Sequence, residues 1–339
     1  MFATPNGLTR REAIQGITVT AACLATSGFG TAARARPADI GPDRAALQLV
    51  RIGLVADVHQ DVIHDGWARM RVFVDEMKQR EVDALLQLGD FALPHKHNQP
   101  FIDVWNEYEG PKHHVLGNHD TDHGFSKEQT MKWWGMPGRH YSFDVGGWHF
   151  VVLDGNDKNP GEWSGYVRYV AGDQREWLAK DLAATDAPTM ILSHQKLESD
   201  DGVANSAEVR AVLEKANQEA GWKKVYACLC GHHHTDGLTE IAGIRYIHVN
   251  SMSYKWVGGD HRRQRFPDHI EKAHPYTSFT CPYRDPLYTM LTLDPEQGTL
   301  HIEGKKTEFV PPTPAEIELE NAAEMLPFVT ARKLAVLEG

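Results

Sequence analysis

Five times along the chain an apolar run stops at a short loop that carries Asp, Asn or His. The loops are Asp57-Val58-His59, Gly89-Asp90, Gly117-Asn118-His119-Asp120, Ser193-His194 and Gly231-His232-His233-His234. This recurrence constrains the fold more than any other feature. Short apolar runs of four to eight residues read as buried strands, and ligand sites of open α/β sheets lie beyond the carboxyl ends of such strands. A chain written this way folds so that its strand ends converge.

The elements between the loops fit that requirement. Leu49 to Ala56 reads as a buried strand ending at Asp57. From Trp67 to Arg80, Met70, Val74 and Met77 recur at helical spacing, and Ala84 to Leu88 is a second strand. A weak helix at Val104 to Tyr108 and a strand at His114-Val115-Leu116 complete a parallel βαβαβ arrangement. The pattern then changes. Gly146-Gly147 joins Tyr141–Val145 to Trp148–Leu153 as a hairpin. A helix at Asp173–Leu182, a strand at Thr189–Leu192, a helix opened by a capping box at Asn205-Ser206-Ala207-Glu208 and a strand at Val225–Leu229 follow. Leu238–Ile241 and Ile244–Val249 form a second hairpin, and Leu287–Leu293 with Leu300–Glu303 close the sheet.

Parallel strands in the first half and hairpins in the second predict an α/β fold, α+β-like and four-layered, of two packed mixed β-sheets flanked by helices. The domain spans residues 47–306. Within it, residues 251–286 lack periodicity and read as a long loop able to cap a substrate, and loops of that length are functional or disordered. The tail 311–339 reads as helical, from Pro314 to Leu326 and again after Pro327.

The N-terminus reads as an export signal over residues 1–35. Thr9-Arg10-Arg11-Glu12 gives a twin-arginine region, a diluted apolar stretch follows to Phe29, and Ala33-Arg34-Ala35 offers a cleavage site. That stretch is too short and polar for a membrane span. The expected destination is the periplasm or the medium, by way of the twin-arginine export machinery. Lipid attachment at Cys23 is disfavoured by Thr20 three places upstream. Of the other cysteines, Cys228 and Cys230 share one strand face and pair poorly with each other. A bridge from either to Cys281 stays open, and buried free thiols are the preferred reading.

A net charge of -11 excludes a general nucleic-acid coat, which needs a basic surface, yet leaves room for a local anion site. Nineteen histidines clustered near loop ends suggest metal binding more than solvated surface, with about half of them reading as ordinary surface histidines. Mixed carboxylate, amide and imidazole donors suit two divalent ions of Mn, Fe or Zn better than Ca. One carboxylate bridging two ions holds them about 3.5–4 Å apart, the spacing used in two-metal hydrolysis.

The five blocks, in order and residue type, resemble the calcineurin-like metallophosphoesterase superfamily over roughly Arg51 to Lys305. Its pattern is D-x-H, G-D, G-N-H-[DE], a lone His and G-H-x-H. The resemblance implies the metallophosphoesterase fold and these roles. Asp57, His59 and His234 would bind the first ion, Asn118, His194 and His232 the second, and Asp90 would bridge them. His119 would face substrate and protonate the leaving oxygen, with Asp120 orienting its ring. A hydroxide between the metals would attack phosphorus in line.

Other candidates carry alternatives. Asp154 reads equally as support for the site or as an ordinary strand-end Asp, and His233 alternates away from its neighbours. Asp61 and His64 lie just past the first block, where they could touch substrate, and neither is assigned a role. His95, His97, His113 and His114 read as loop histidines. Purple acid phosphatases place a metal-binding Tyr three residues after the G-D aspartate; here Leu93 stands there. Between Tyr254 and Tyr283, Lys255, Trp256, His261, Arg262, Arg263, Arg265, His269 and His274 could grip phosphate or stack a nucleobase, or form a solvated charged loop.

The expected activity is exported hydrolysis of a small phosphate-ester or nucleotide substrate, at phosphodiester or nucleotide pyrophosphate bonds. Phosphomonoesterase action is the alternative, an envelope lipid or cell-wall diesterase a third reading. A non-catalytic metal-binding scaffold ranks last, because such relatives lose ligands that this chain keeps.

Overall fold

The computed structural model describes residues 41–161 and 163–337. The proposed export signal, with Cys23, lies outside the described residues. Among those described, no helix is long and apolar enough to cross a membrane.

The chain opens with strand β1 (Val50–Val55), helix α1 (Gly66–Gln79), β2 (Ala84–Gln87), α2 (Gln99–Asn106) and β3 (Lys112–His114). The three strands are parallel neighbours, as the alternation of strand and helix requires. Helix α3 (Lys127–Trp134) follows, with the hairpin β4 (Tyr141–Val145) and β5 (Trp148–Val152). Then come α4 (Gly172–Ala184), β6 (Thr189–Leu192), α5 (Ser206–Ala220), β7 (Val225–Cys230) and the hairpin β8 (Gly237–Ile241) and β9 (Ile244–His248). Beyond it lie β10 (Tyr254–Trp256), α6 (Asp268–Ala273), β11 (Thr280–Pro282), β12 (Thr289–Asp294), β13 (Thr299–Ile302), β14 (Lys305–Lys306), β15 (Phe328–Val329) and β16 (Arg332–Ala335).

Two mixed six-stranded sheets result, ordered β16-β13-β12-β1-β2-β3 and β4-β5-β6-β7-β9-β8. The side-chain period of two builds the layers. On β5 and β6, Trp148, Phe150, Val152, Met190 and Leu192 enter the core that the second sheet shares with the first, which also takes Phe73 and Met77 of α1 and Trp105 of α2. Val151 and Ile191, one residue out of phase, join Leu178 of α4 and Leu213 of α5 on the other face. Strands buried on both faces read as unbroken apolar runs for this reason.

Several expectations are corrected. The tail is not helical: turns and one short 3₁₀ segment lead to β15 and β16, and β16 completes the first sheet beside β13. Arg332–Ala335 pair with Thr299–Ile302 of β13, and satisfying the unpaired backbone groups of that open sheet edge outweighs local helix propensity. Residues 251–286 are structured, with β10 pairing β11 and α6 between them. Asn205 does not cap α5; its side-chain amide exchanges hydrogen bonds with the backbone of Val170 instead. The capping box belongs to α3, where Ser126 and Gln129 satisfy each other's amides ahead of a helix the sequence reading missed. His113 and His114 lie on β3 rather than in a loop, His114 buried and bonded to Gln87 at 3.1 Å. Cys228, Cys230 and Cys281 are buried free thiols.

Candidate metal centre

The loops after β1, β2, β3, β6 and β7 meet at one end of the paired sheets. Backbone bonds run from loop to loop and hold them in register: Asp57 N donates to Gly89 O, His59 N to Asp90 O, and Gly231 N to His194 O, at 2.9–3.1 Å. Five site residues turn in the left-handed region, with φ of 50° at Asp57, 50° at His59, 51° at Asp90, 68° at His232 and 48° at His234. Each such non-glycine residue costs about 1–3 kcal/mol and persists only where its surroundings fix it. The packing tolerates no more bulk. A Cβ on Gly117 would lie 2.2 Å from Asp90 Oδ1, and one on Gly231 would lie 2.3 Å from Asp57 Oδ2.

Two groups of donors result. Asp57, His59 and His234 form one, and Asp90, His194 and His232 the other, each with its ligand atoms within 4.8 Å of one another. His59 Nε2 lies 3.2 Å from His234 Nε2, and His232 Nδ1 lies 3.2 Å from His194 Nε2. Asn118 Oδ1 also stands 3.2 Å from His194 Nε2. Asp90 Oδ2 reaches both groups, 3.1 Å from His194 Nε2 and 3.5 Å from His59 Nε2.

These donors fit a pair of metal ions. His194 donates Nδ1–H to the Leu88 carbonyl at 2.7 Å, and His234 donates to the Tyr254 carbonyl at 2.8 Å. With Nδ1–H used in this way, each ring turns Nε2 into the site, the second-sphere arrangement of metal-binding histidines. Nε2 of His194 faces the Asp90 carboxylate at 3.1 Å and the Asn118 amide oxygen at 3.2 Å. Lone pairs about 3.0–3.4 Å apart are the separation expected of two donors each about 2.1 Å from a common ion.

The electrostatics ask for the same thing. Burial opposes charge on His194, yet the Asp90 and Asp57 carboxylates raise its pKa to about 10. Burial and the neighbouring His194 push His232 down to about 2, and burial holds His59 well below its ordinary value. The carboxylates call for positive charge while two imidazoles stay unprotonated, and a cation satisfies both.

His119 and Asp120 part company in the structure. Asp120 is buried and accepts from the amides of Gly117, Phe91 and Asp90 at 2.7–2.9 Å. Burial and the nearby Asp90 charge push it up to about 8, while the amides pull the other way. Its carboxylate braces the loops that carry Asp90 and Asn118, and it does not orient His119. That partner is Asp122, whose Oδ2 lies 2.7 Å from His119 Nδ1. The turn that starts at His119 breaks from helical geometry at Asp122, which brings that carboxylate to the ring, whereas the adjacent Asp120 is buried. Tyr166 donates its hydroxyl to Asp122 at 2.9 Å and packs its ring against His119, centroids 4.7 Å apart. Burial opposes protonation of His119, but Asp90 and Asp122 outweigh it and raise its pKa.

The remaining candidates separate by place. His233 stands outside both donor groups, and its carbonyl accepts from Lys255 Nζ at 2.8 Å. Asp61 is structural at the cavity wall, accepting from Leu93 N at 2.8 Å and Asn98 Nδ2 at 2.7 Å. Asp154 is wholly buried and accepts from Lys127 Nζ at 2.5 Å. His64 packs its ring on Phe266, centroids 4.4 Å apart. Leu93, in the tyrosine position of the purple enzymes, lines the cavity. That cavity encloses about 670 Å³ beside His59, Asp90, Asn118, His119, His232 and His234, and Tyr254, Lys255, Trp256 and Tyr276 also line it. Asp122 and Tyr166 were not legible because no motif spacing marks them; the surplus Asp after Gly117-Asn118-His119-Asp120 was the one available signal.

The family model of calcineurin-like phosphoesterases matches residues 50–236. Among solved structures, a dimetal phosphatase from Danio rerio is similar at a TM-score of 0.54 and 16% identity, over 77% of this chain and 98% of that one. GAP50, the anchor in the inner membrane complex of Plasmodium, is similar at 0.48 and 13%, over 86% and 90%. At such identities the likeness speaks to fold alone. No curated protein sequence matches the chain.

Proposed function

Because the chain belongs to the calcineurin-like phosphoesterase family, we propose that it hydrolyses phosphodiester or nucleotide pyrophosphate bonds with two divalent ions of Mn, Fe or Zn. The observation that carries this reading is the pair of facing donor groups joined through Asp90, with His119 on the wall of the same cavity. Asp57, His59 and His234 would hold one ion, Asn118, His194 and His232 the other, and Asp90 both. Bound there, the ions would supply Lewis acidity and lower the pKa of coordinated water.

The protein's own part is positioning and proton transfer. The Leu88 and Tyr254 carbonyls fix the rings of His194 and His234, so the donor geometry exists before substrate arrives. Asp122 accepts Nδ1–H of His119 and, with Asp90, favours the protonated imidazolium, whose Nε2–H can pass to a departing oxygen and leave the neutral ring. The roomy cavity suits a phosphate with a substituent on each side, which is why diesters are favoured over monoesters. Action on small monoesters is the second reading, since the same donors serve it. Export to the periplasm or medium remains part of the proposal and rests on the arginine pair of the N-terminus.

The test is hydrolysis by metal-reconstituted protein of a p-nitrophenyl monoester, the bis-p-nitrophenyl diester, and cyclic and diphosphate nucleotides. Faster turnover of diesters or nucleotides supports the reading. Monoester preference replaces it with the second, and no turnover with any metal discards both.

A further inference from the structure

The mouth of the cavity carries more aromatic surface than a phosphate needs. Trp256 and Tyr276 both line it and remain 45% and 51% exposed. Large rings left in water forgo the gain of burial and mark interaction sites when they cluster beside a cavity.

Both rings are held in place before any ligand binds. Trp256 ends β10, opposite Thr280 of β11. Its indole stacks on Phe279 with centroids 5.7 Å apart and planes 17° from parallel. The Tyr276 ring lies 5.7 Å from the same Phe279, and the Arg262 guanidinium sits 4.7 Å over that ring. Phe279 thus covers one face of the indole, and nearly half of Trp256 is still accessible. Lys255 lines the same cavity, its Nζ donating to the His233 carbonyl at 2.8 Å.

We propose that Trp256 and Tyr276 form a stacking subsite for the nucleobase of a nucleoside 5′-phosphoryl substrate. The proposal rests on the phosphoesterase reading and adds the substrate class to it. An aromatic platform accepts any base, because every base offers a π-face. A cavity of about 670 Å³ matches one small ligand rather than a polymer, and the net charge of -11 is unsuited to a nucleic-acid track.

The experiment compares two diesters with the same leaving group, thymidine 5′-(p-nitrophenyl phosphate) and methyl p-nitrophenyl phosphate, on the Mn-loaded full chain. Wild type should favour the thymidine ester in kcat/KM by about tenfold or more, and Trp256→Ala or Tyr276→Ala should lower that ratio about tenfold, through KM. Trp256→Phe should restore most of it. The methyl ester, measured on each variant, reports its fold and metal content. A wild-type ratio near one, or a ratio that neither alanine variant moves, overturns the subsite while leaving the phosphoesterase reading in place. If wild type turns over neither ester, the phosphoesterase reading is what fails. Calorimetric binding of thymidine 5′-monophosphate against methyl phosphate then decides the subsite, which is overturned if the two bind alike or if Trp256→Ala leaves the difference intact.

Discussion

Nδ1 of His119 lies 2.7 Å from Oδ2 of Asp122, while Asp120, its neighbour in sequence, turns its carboxylate to three backbone amides. The two carboxylates therefore fail differently when changed. Asp122→Asn should keep metal content and lower kcat by about 10–100-fold, as loss of an orienting partner does. The loss should be larger for an alkoxide than for a nitrophenolate leaving group, because only the former depends on the proton. Asp120→Asn should instead loosen the Asp90 and Asn118 loops and reduce bound metal. Metal analysis with a leaving-group series separates the two; an equal loss across the series for Asp122→Asn would remove its assigned role.

The donor groups share Asp90, so their metals should be lost together. Asp90→Ala is expected to abolish activity and most bound metal, measured by elemental analysis, whereas His119→Ala should abolish turnover and leave metal nearly unchanged. Chelation of the wild type should also lower its stability. Ions present at about 100 times their Kd contribute about 2.7 kcal/mol to the folded state, which a chemical denaturation series would register. Equal stability of chelated and loaded protein would contradict the donor geometry.

A pH-dependent element sits apart from the metal residues. His149 on β5 lies 2.7 Å from Asp144 and 2.9 Å from Asp181. Burial opposes its charge, but the hydrogen bonds and charges of Asp181 and Asp144 prevail and raise its pKa. A raised folded-state pKa contributes stability fully below the unfolded value near 6.5, and that contribution fades as pH rises through the folded one. Asp181 is lowered, against burial, by His149 and Ser142, so its share appears above the usual carboxylate value and is lost on acidification. His149→Phe should therefore cost about 1 kcal/mol near pH 6 and progressively less toward pH 9, by urea unfolding at each pH. A cost that grows with pH would reverse the assignment.

Asp236, two residues after His234, ties the metal loop to the tail. It accepts two bonds from Arg332 at 2.6 and 2.8 Å and two from Thr330, with both charged side chains nearly buried. Removing one partner of such a pair strands the other, so Asp236→Ala should destabilise the protein by about 3 kcal/mol. The double change Asp236→Leu with Arg332→Met should recover much of that loss. A double-mutant cycle by denaturant unfolding measures the coupling, and purely additive changes would show that the pair does not act as a unit.

The sequence by itself determined the two mixed sheets and the five loops. Both follow from local patterns, apolar runs that must be buried and Asp, Asn and His residues at their ends. Val151 and Ile191 against Phe150 and Met190 show how far such a pattern reaches: alternation along one strand already divides two cores. What lay beyond it depended on partners distant in the chain. Which carboxylate meets His119 was settled by a turn and by Tyr166, 47 residues away. Arg332–Ala335 became a strand because β13 presented an open edge, and a local reading of the residues after Pro327 has no access to that edge. The 251–286 segment was unreadable for the same reason, since β10 and β11 have periodic meaning only once paired. Local periodicity records which face of an element is buried. Only the tertiary structure decides what is buried against it, because those contacts join residues that no spacing rule connects.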